Sequence, residues 1–116
     1  MSGEVKVVLS PLEREVRRRL REYRLELPEF NRPAVGRRVD CRWPRRGLTV
    51  EFDSFRYHNS RYSWELDRKR EREARKRGDE FWRYTWDDVF VRPRETFEEL
   101  RRLLAEPEPA RAIARR

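Results

Sequence analysis

The sequence predicts an α/β sandwich: a small mixed sheet flanked by helices. Three observations carry this. Residues 39–58, VDCRWPRRGLTVEFDSFRYH, alternate between apolar and polar side chains on either side of a turn. Two stretches with strong helix-start signals lie outside that hairpin, Ser10-Pro11-Leu12-Glu13 before it and Thr85-Trp86-Asp87-Asp88 after it. A further strand, Phe81-Trp82-Arg83-Tyr84, follows a long charged helix and returns the chain to the sheet.

In the first hairpin strand Val39, Cys41 and Trp43 share one face, and Arg38, Asp40 and Arg42 the other. In the second, Leu48, Val50 and Phe52 are apolar, and Thr49, Glu51 and Asp53 are polar. Pro44-Arg45-Arg46-Gly47 is a common hairpin-loop length. If Trp43 opposes Leu48, Asp40 stands directly opposite Glu51. Such partners lie about 5 Å apart at Cβ, and like charges there repel. A cation between the two relieves the conflict. Asp53 projects from the same face, so three carboxylates are expected to converge where a hard metal ion takes oxygen ligands. The alternative is three solvated side chains on the open face of a sheet.

The remaining elements follow in order. Ser10 caps, Pro11 suits the first helical position and Glu13 closes a capping box. Leu12, Val16, Leu20 and Tyr23 recur at helical spacing, which predicts a helix over 11–24. Pro28 and Pro33 bracket an irregular crossing, and a short strand is expected at Ala34-Val35. Residues 60–77 form a charged helix with a thin apolar stripe, ended by Gly78. Thr85-Trp86-Asp87-Asp88 is a second capping box. After Pro93 a last helix turns Phe97, Leu100, Leu103 and Leu104 to one side. Residues 10–104 make one domain, and residues 105–116 a flexible basic tail.

The 116 residues suffice for one modest core. Charged residues make up 45% and aromatics 12%, which is polar but not the composition of a disordered chain. Thirty Lys+Arg against 22 Asp+Glu give +8, nearly all of the basic share as arginine. That points to a polyanion, with arginine suited to bidentate phosphate contact; codon bias alone would also produce it. One cysteine excludes an internal disulfide, and one cysteine with one histidine does not close a tetrahedral zinc site. The lack of a long apolar run predicts no membrane partner and a soluble, cytoplasmic protein.

The run SPLE…VGRRVDCRWP…LTVEFDSFRYH…WELDRKRE…FWRYTWDDV…LRRLL resembles the small endonuclease-like domain related to very-short-patch-repair endonucleases, of the PD-(D/E)xK restriction-endonuclease-like superfamily. The resemblance implies a restriction-endonuclease-like core and a nuclease that hydrolyses DNA with Mg²⁺ or Mn²⁺. It implies Asp40 as the metal-binding acid of the first signature strand and Glu51-Phe52-Asp53 as the second, with aspartate in place of the usual lysine. It carries His58 over as a catalytic residue, and the Asp67-Arg68 pair and Glu13 as supporting residues. Two departures stand out: Ser54 where relatives usually have glycine, and a 70–77 stretch lacking the leucines relatives bury.

For the chemistry, Asp40 and Glu51 suffice to hold Mg²⁺, with Asp53 a third ligand or a support. His58 titrates near neutrality and suits proton transfer, but it is equally a loop histidine beside Tyr57. Glu13 reaches a metal through water, or is simply a cap. Asp67 and Arg68 orient His58, bind phosphate, or are solvated, and Lys69 is a candidate to replace the strand lysine from the helix. Arg42, Arg45, Arg46, Arg56 and Arg61 are candidates for phosphate contact. The four tryptophans and Cys41 read as core. The rival expectations are a nucleic-acid-binding module without catalysis, and an interaction domain left from a longer protein; a homodimer burying the Asp40 face would favour the latter.

Overall fold

The structure, a computed structural model, describes residues 9–31, 38–54 and 61–105. Its elements are α1 (Pro11–Glu22), β1 (Glu29–Asn31), β2 (Arg38–Trp43), β3 (Leu48–Asp53), α2 (Arg61–Lys76), β4 (Glu80–Thr85), α3 (Trp86–Phe90) and α4 (Pro93–Ala105). They form the expected mixed sheet, in the order β1-β2-β3-β4. β1, β2 and β3 are antiparallel; β4 runs parallel to β3, reached through α2.

Helix α1 begins at Pro11 as expected, with the Ser10 half of the predicted capping box, while the Glu13 carboxylate accepts from Arg17. Ser10 accepts a hydrogen bond from the Glu13 amide, and Pro11 stands in the first turn. It stops at Glu22 rather than at residue 24. Arg24 takes φ 56°, a left-handed conformation that no helix continues through, and the Leu25 amide bonds back to the Leu20 carbonyl. The crossing after it is not wholly irregular. Phe30 packs against the core from β1, whose backbone extends the sheet at its edge, and Pro28 just outside leaves that pairing intact. The strand expected at Ala34-Val35 lies outside the described residues.

The hairpin matches its predicted register. Trp43 opposes Leu48, and Asp40 opposes Glu51. Pro44–Arg46 form one turn of 3-10 helix, and Gly47 closes it at φ 59°, a conformation glycine takes without the cost of about 1–2 kcal/mol that a Cβ brings. Gly78 (φ 86°) likewise ends α2. The second capping box is complete: Thr85 accepts from the Asp88 amide and Asp88 from the Thr85 amide. Helix α4 includes Ala105, which the sequence assigned to the tail, and residues 106–116 lie outside the described residues.

The sheet has two unlike faces. Val39, Cys41, Trp43, Val50 and Phe52 pack with Leu12, Val16 and Leu20 of α1, Val89 of α3, and Phe97, Leu100 and Leu104 of α4. Cys41 is fully buried, and burial pushes its thiol well above the usual range. Trp43 is buried, its indole N–H donating to the Glu26 carbonyl at 2.8 Å; Trp82 and Trp86 pack at the core margin. The other face carries the polar residues, and α2 supplies groups to it. All six residues of β3 are buried, so its polar side is not the open surface the alternation allows.

Candidate functional site

The polar face of β1–β3, the 70–77 end of α2 and Phe81 of β4 enclose a groove of about 600 Å³. Strand pleating sends Asp40 from β2 and Glu51 from β3 into it, opposite one another. Glu51 lies at the bottom, its side chain 1% exposed, whereas Asp40 keeps 24%.

Positive charge does lie between the opposed acids, and it comes from the protein. Arg38 Nε is 3.0 Å from Asp40 and 3.5 Å from Glu51. Arg70, reaching down from α2, grips Glu51 with two hydrogen bonds, one of them Nη2 to Oε1 at 3.2 Å. Arg83 of β4 stands 3.6 Å from Glu51 and 3.8 Å from Asp53. Even so, burial pushes the Glu51 carboxyl above its ordinary range; Arg70 and Arg38 pull it down, and Asp40 adds to the rise. The expected convergence of three carboxylates is therefore not found. Among the described residues no group of three or more His, Cys, Asp or Glu side chains is arranged to hold a metal ion, and Asp53 is turned to Arg83. What the strands bring together is the Asp40–Glu51 pair. Two carboxylates match the protein's usual share of a Mg²⁺ shell.

A second cluster lies beside the first. Asp79, 2% exposed, accepts two hydrogen bonds from Arg42 at 2.7 and 3.2 Å and one from the Thr49 hydroxyl at 2.6 Å. Arg77 donates to the Thr49 hydroxyl at 3.3 Å and stands 3.8 Å from Asp79. Burial acts to raise the Asp79 carboxyl, but these donors outweigh it and hold it below the usual carboxylate range. A depressed value means that Asp79 adds stability above the ordinary aspartate range, lost as pH falls through the folded-state value. Asp79→Asn is therefore expected to cost about 1–2 kcal/mol at neutral pH. The cost should shrink as wild type and variant converge in acid, which urea unfolding at several pH values measures.

No protein-family model, curated protein or solved structure matches this chain.

The remaining candidate residues fall in different places. Arg42 lines the groove. Arg45 and Arg46 sit in the hairpin turn, away from the groove lining, and Arg46 pairs with Glu26 at 3.4 Å. Glu13 is buried on the core side of the sheet, 2.9 Å from Arg17, and does not line the groove. Arg68 and Lys69 are exposed on α2. Arg56, His58 and the side chains of Arg61 and Asp67 lie outside the described residues. Sequence reading missed Arg38, Arg70, Arg83 and Asp79. Arg70, Ala74 and Arg77 share a helical stripe that the full burial of Ala74 shows to face inward, and the sequence alone does not single that stripe out. Among the described residues no helix is long and apolar enough to cross a membrane.

Proposed function

We propose that this domain is a metal-dependent nuclease that hydrolyses phosphodiester bonds of DNA, with Asp40 and Glu51 as its metal ligands. The observation that carries the reading is the opposition of these two acids across β2 and β3, inside a groove walled by arginine. It agrees with the resemblance to the endonuclease-like domain, which implies one acid on the first signature strand and an acid-spacer-acid run on the next.

A bound divalent ion would supply Lewis-acid neutralisation of the phosphoryl oxygens and a water of lowered pKa. The chain's own residues do the rest. Glu51, fixed at the groove floor, and Asp40 above it define where charge is held. Arg38 and Arg70 occupy that position here and line the groove, so they are placed to shift from the carboxylates to a phosphate, each with five N–H donors to share. Water gives up a proton as it adds to phosphorus, the bridging P–O bond breaks, and the leaving oxygen takes up a proton; His58 is the candidate the resemblance supplies for either transfer.

Incubation of supercoiled DNA with Mg²⁺ or Mn²⁺ tests this: nicking is expected, and Asp40→Ala should abolish it. Nicking unchanged by that substitution would refute the assignment. The arginine shell around Glu51 favours one second reading, a nucleic-acid-binding module whose acids serve only to hold arginines. It predicts salt-dependent DNA binding with neither nicking nor metal affinity.

A further inference from the structure

We infer that Arg42 and Arg77, held by Asp79 and Thr49, form a phosphate subsite for a neighbouring nucleotide of the DNA strand whose cleavage is proposed above. The inference rests on that reading for the strand's identity, but on its own geometry for the subsite.

Three features of the cluster mark it out, and the first is charge. Around Glu51, Asp40 and Asp53 three arginines meet three carboxylates. Around Asp79 two arginines meet one buried carboxylate. Glu29, in register with Arg42, and Glu73 also line the groove, at exposed positions where solvent and salt screen them as they do Arg77. Asp79 answers one of the two guanidinium charges from below, and the outer edges of the pair are turned to the groove, where a phosphodiester fits.

The second is preorganisation. Arg42 gives two donors to Asp79 and Arg77 gives one to Thr49, so each guanidinium has donors left over. Their side chains stay 37% and 44% exposed along the groove wall. Asp79 follows the φ 86° turn at Gly78, and its amide bonds back to the Ala74 carbonyl, so the anchor itself is fixed. A planar guanidinium held by its inner edge loses little freedom when its outer edge meets an anion.

The third is spacing. Arg42 is two residues along β2 from Asp40, and Thr49 two along β3 from Glu51. On a strand that is about 7 Å, comparable to one phosphate-to-phosphate step. Phe81, in register with Thr49, puts an aromatic ring on the same wall, where a sugar or base would lie.

The test is anisotropy of a labelled single-stranded oligonucleotide of about 12 nucleotides in a chelator, so that binding is read without cleavage. Arg77→Gln is expected to weaken binding about tenfold. It should also reduce the slope of log K against log salt by about 0.7, one lost phosphate contact. Arg77→Lys, which keeps the charge without the fork, should fall between. Arg21→Gln, exposed on α1 across the sheet, should leave both quantities near wild type. Equal losses from Arg77→Gln and Arg21→Gln, or no binding by the wild type, would overturn the subsite, as would a folded Arg77→Gln that binds like wild type. Loss of binding in Arg77→Gln with nicking that survives Asp40→Ala would keep the subsite and sink the metal assignment. The converse, normal binding by Arg77→Gln with nicking lost in Asp40→Ala, would do the opposite.

Discussion

Replacing Glu51 with glutamine is expected to lower Mg²⁺-dependent nicking at least about a hundredfold, equivalent to about 2.7 kcal/mol of barrier, without loss of stability. The two halves of this prediction come from the same fact. Glu51 is a carboxylate at the floor of the groove whose burial pushes its pKa up despite Arg70 and Arg38. For a carboxyl raised in the folded state, the stabilising contribution exists below the unfolded value and is lost as pH rises through the folded one. At neutral pH the charged form therefore costs the fold something, and a neutral amide of the same shape removes that cost. Arg38 and Arg70 keep side-chain exposures of 22 and 20%, so water remains within their reach when the negative charge is gone, and Arg83 keeps Asp53 at 3.8 Å. A charge held at the expense of stability is what a site needs if it must receive a cation. The opposite outcome has a clear meaning. If thermal melting shows Glu51→Gln to be several kcal/mol less stable while nicking persists, Glu51 exists to anchor arginines. The assignment of Glu51 as a metal ligand then fails.

Local chemistry made some of this legible in the sequence. Alternation and the Pro-Arg-Arg-Gly turn were enough to place Asp40 against Glu51, because one registry slip would turn Val39, Cys41 and Trp43 out of the core. The Thr85–Asp88 box was readable because both hydrogen bonds are made within four residues. What answers the carboxylates was not readable. Arg70 meets Glu51 across 19 residues, and Arg42 meets Asp79 across 37. In a helix that is mostly Arg and Glu, sequence alone does not say which arginines turn inward. The 70–77 stretch carries arginine on its inward side, and the reason is visible in the partner: this face of the sheet presents Glu51 and Thr49, not an apolar surface. Strand β1 was missed for a related reason. Three residues beside a proline carry too little pattern, and only the pairing with β2 makes them a strand.

On the opposite face, Phe97→Ala is expected to cost about 3–5 kcal/mol. Phe97 is fully buried and stacks at 5.7 Å on Tyr23 and at 6.4 Å on Phe52, tying α4 to the end of α1 and to β3. Phe52 in turn stacks on Tyr84, whose hydroxyl donates to Glu99 of α4 at 2.6 Å. Truncation removes a ring from the middle of this chain of contacts, and the helices are tied into the sheet too firmly to close the cavity. Against a total stability of about 5–15 kcal/mol for a domain of ordinary size, that is enough to lower the melting temperature by tens of degrees. Urea unfolding should show a lower midpoint with an unchanged slope. Val91→Ala, at a side chain 59% exposed, should stay within about 0.5 kcal/mol of wild type. The consequence reaches the groove because Phe52 sits between Glu51 and Asp53 on β3. The packing that fixes the phenylalanine on one side fixes the angle of both acids on the other. Below its own melting transition Phe97→Ala should still bind DNA, through arginines set on α2 and β2, yet nick it more slowly than wild type. Equal nicking rates at a temperature where both proteins are folded would show that the acids are held by the arginines alone.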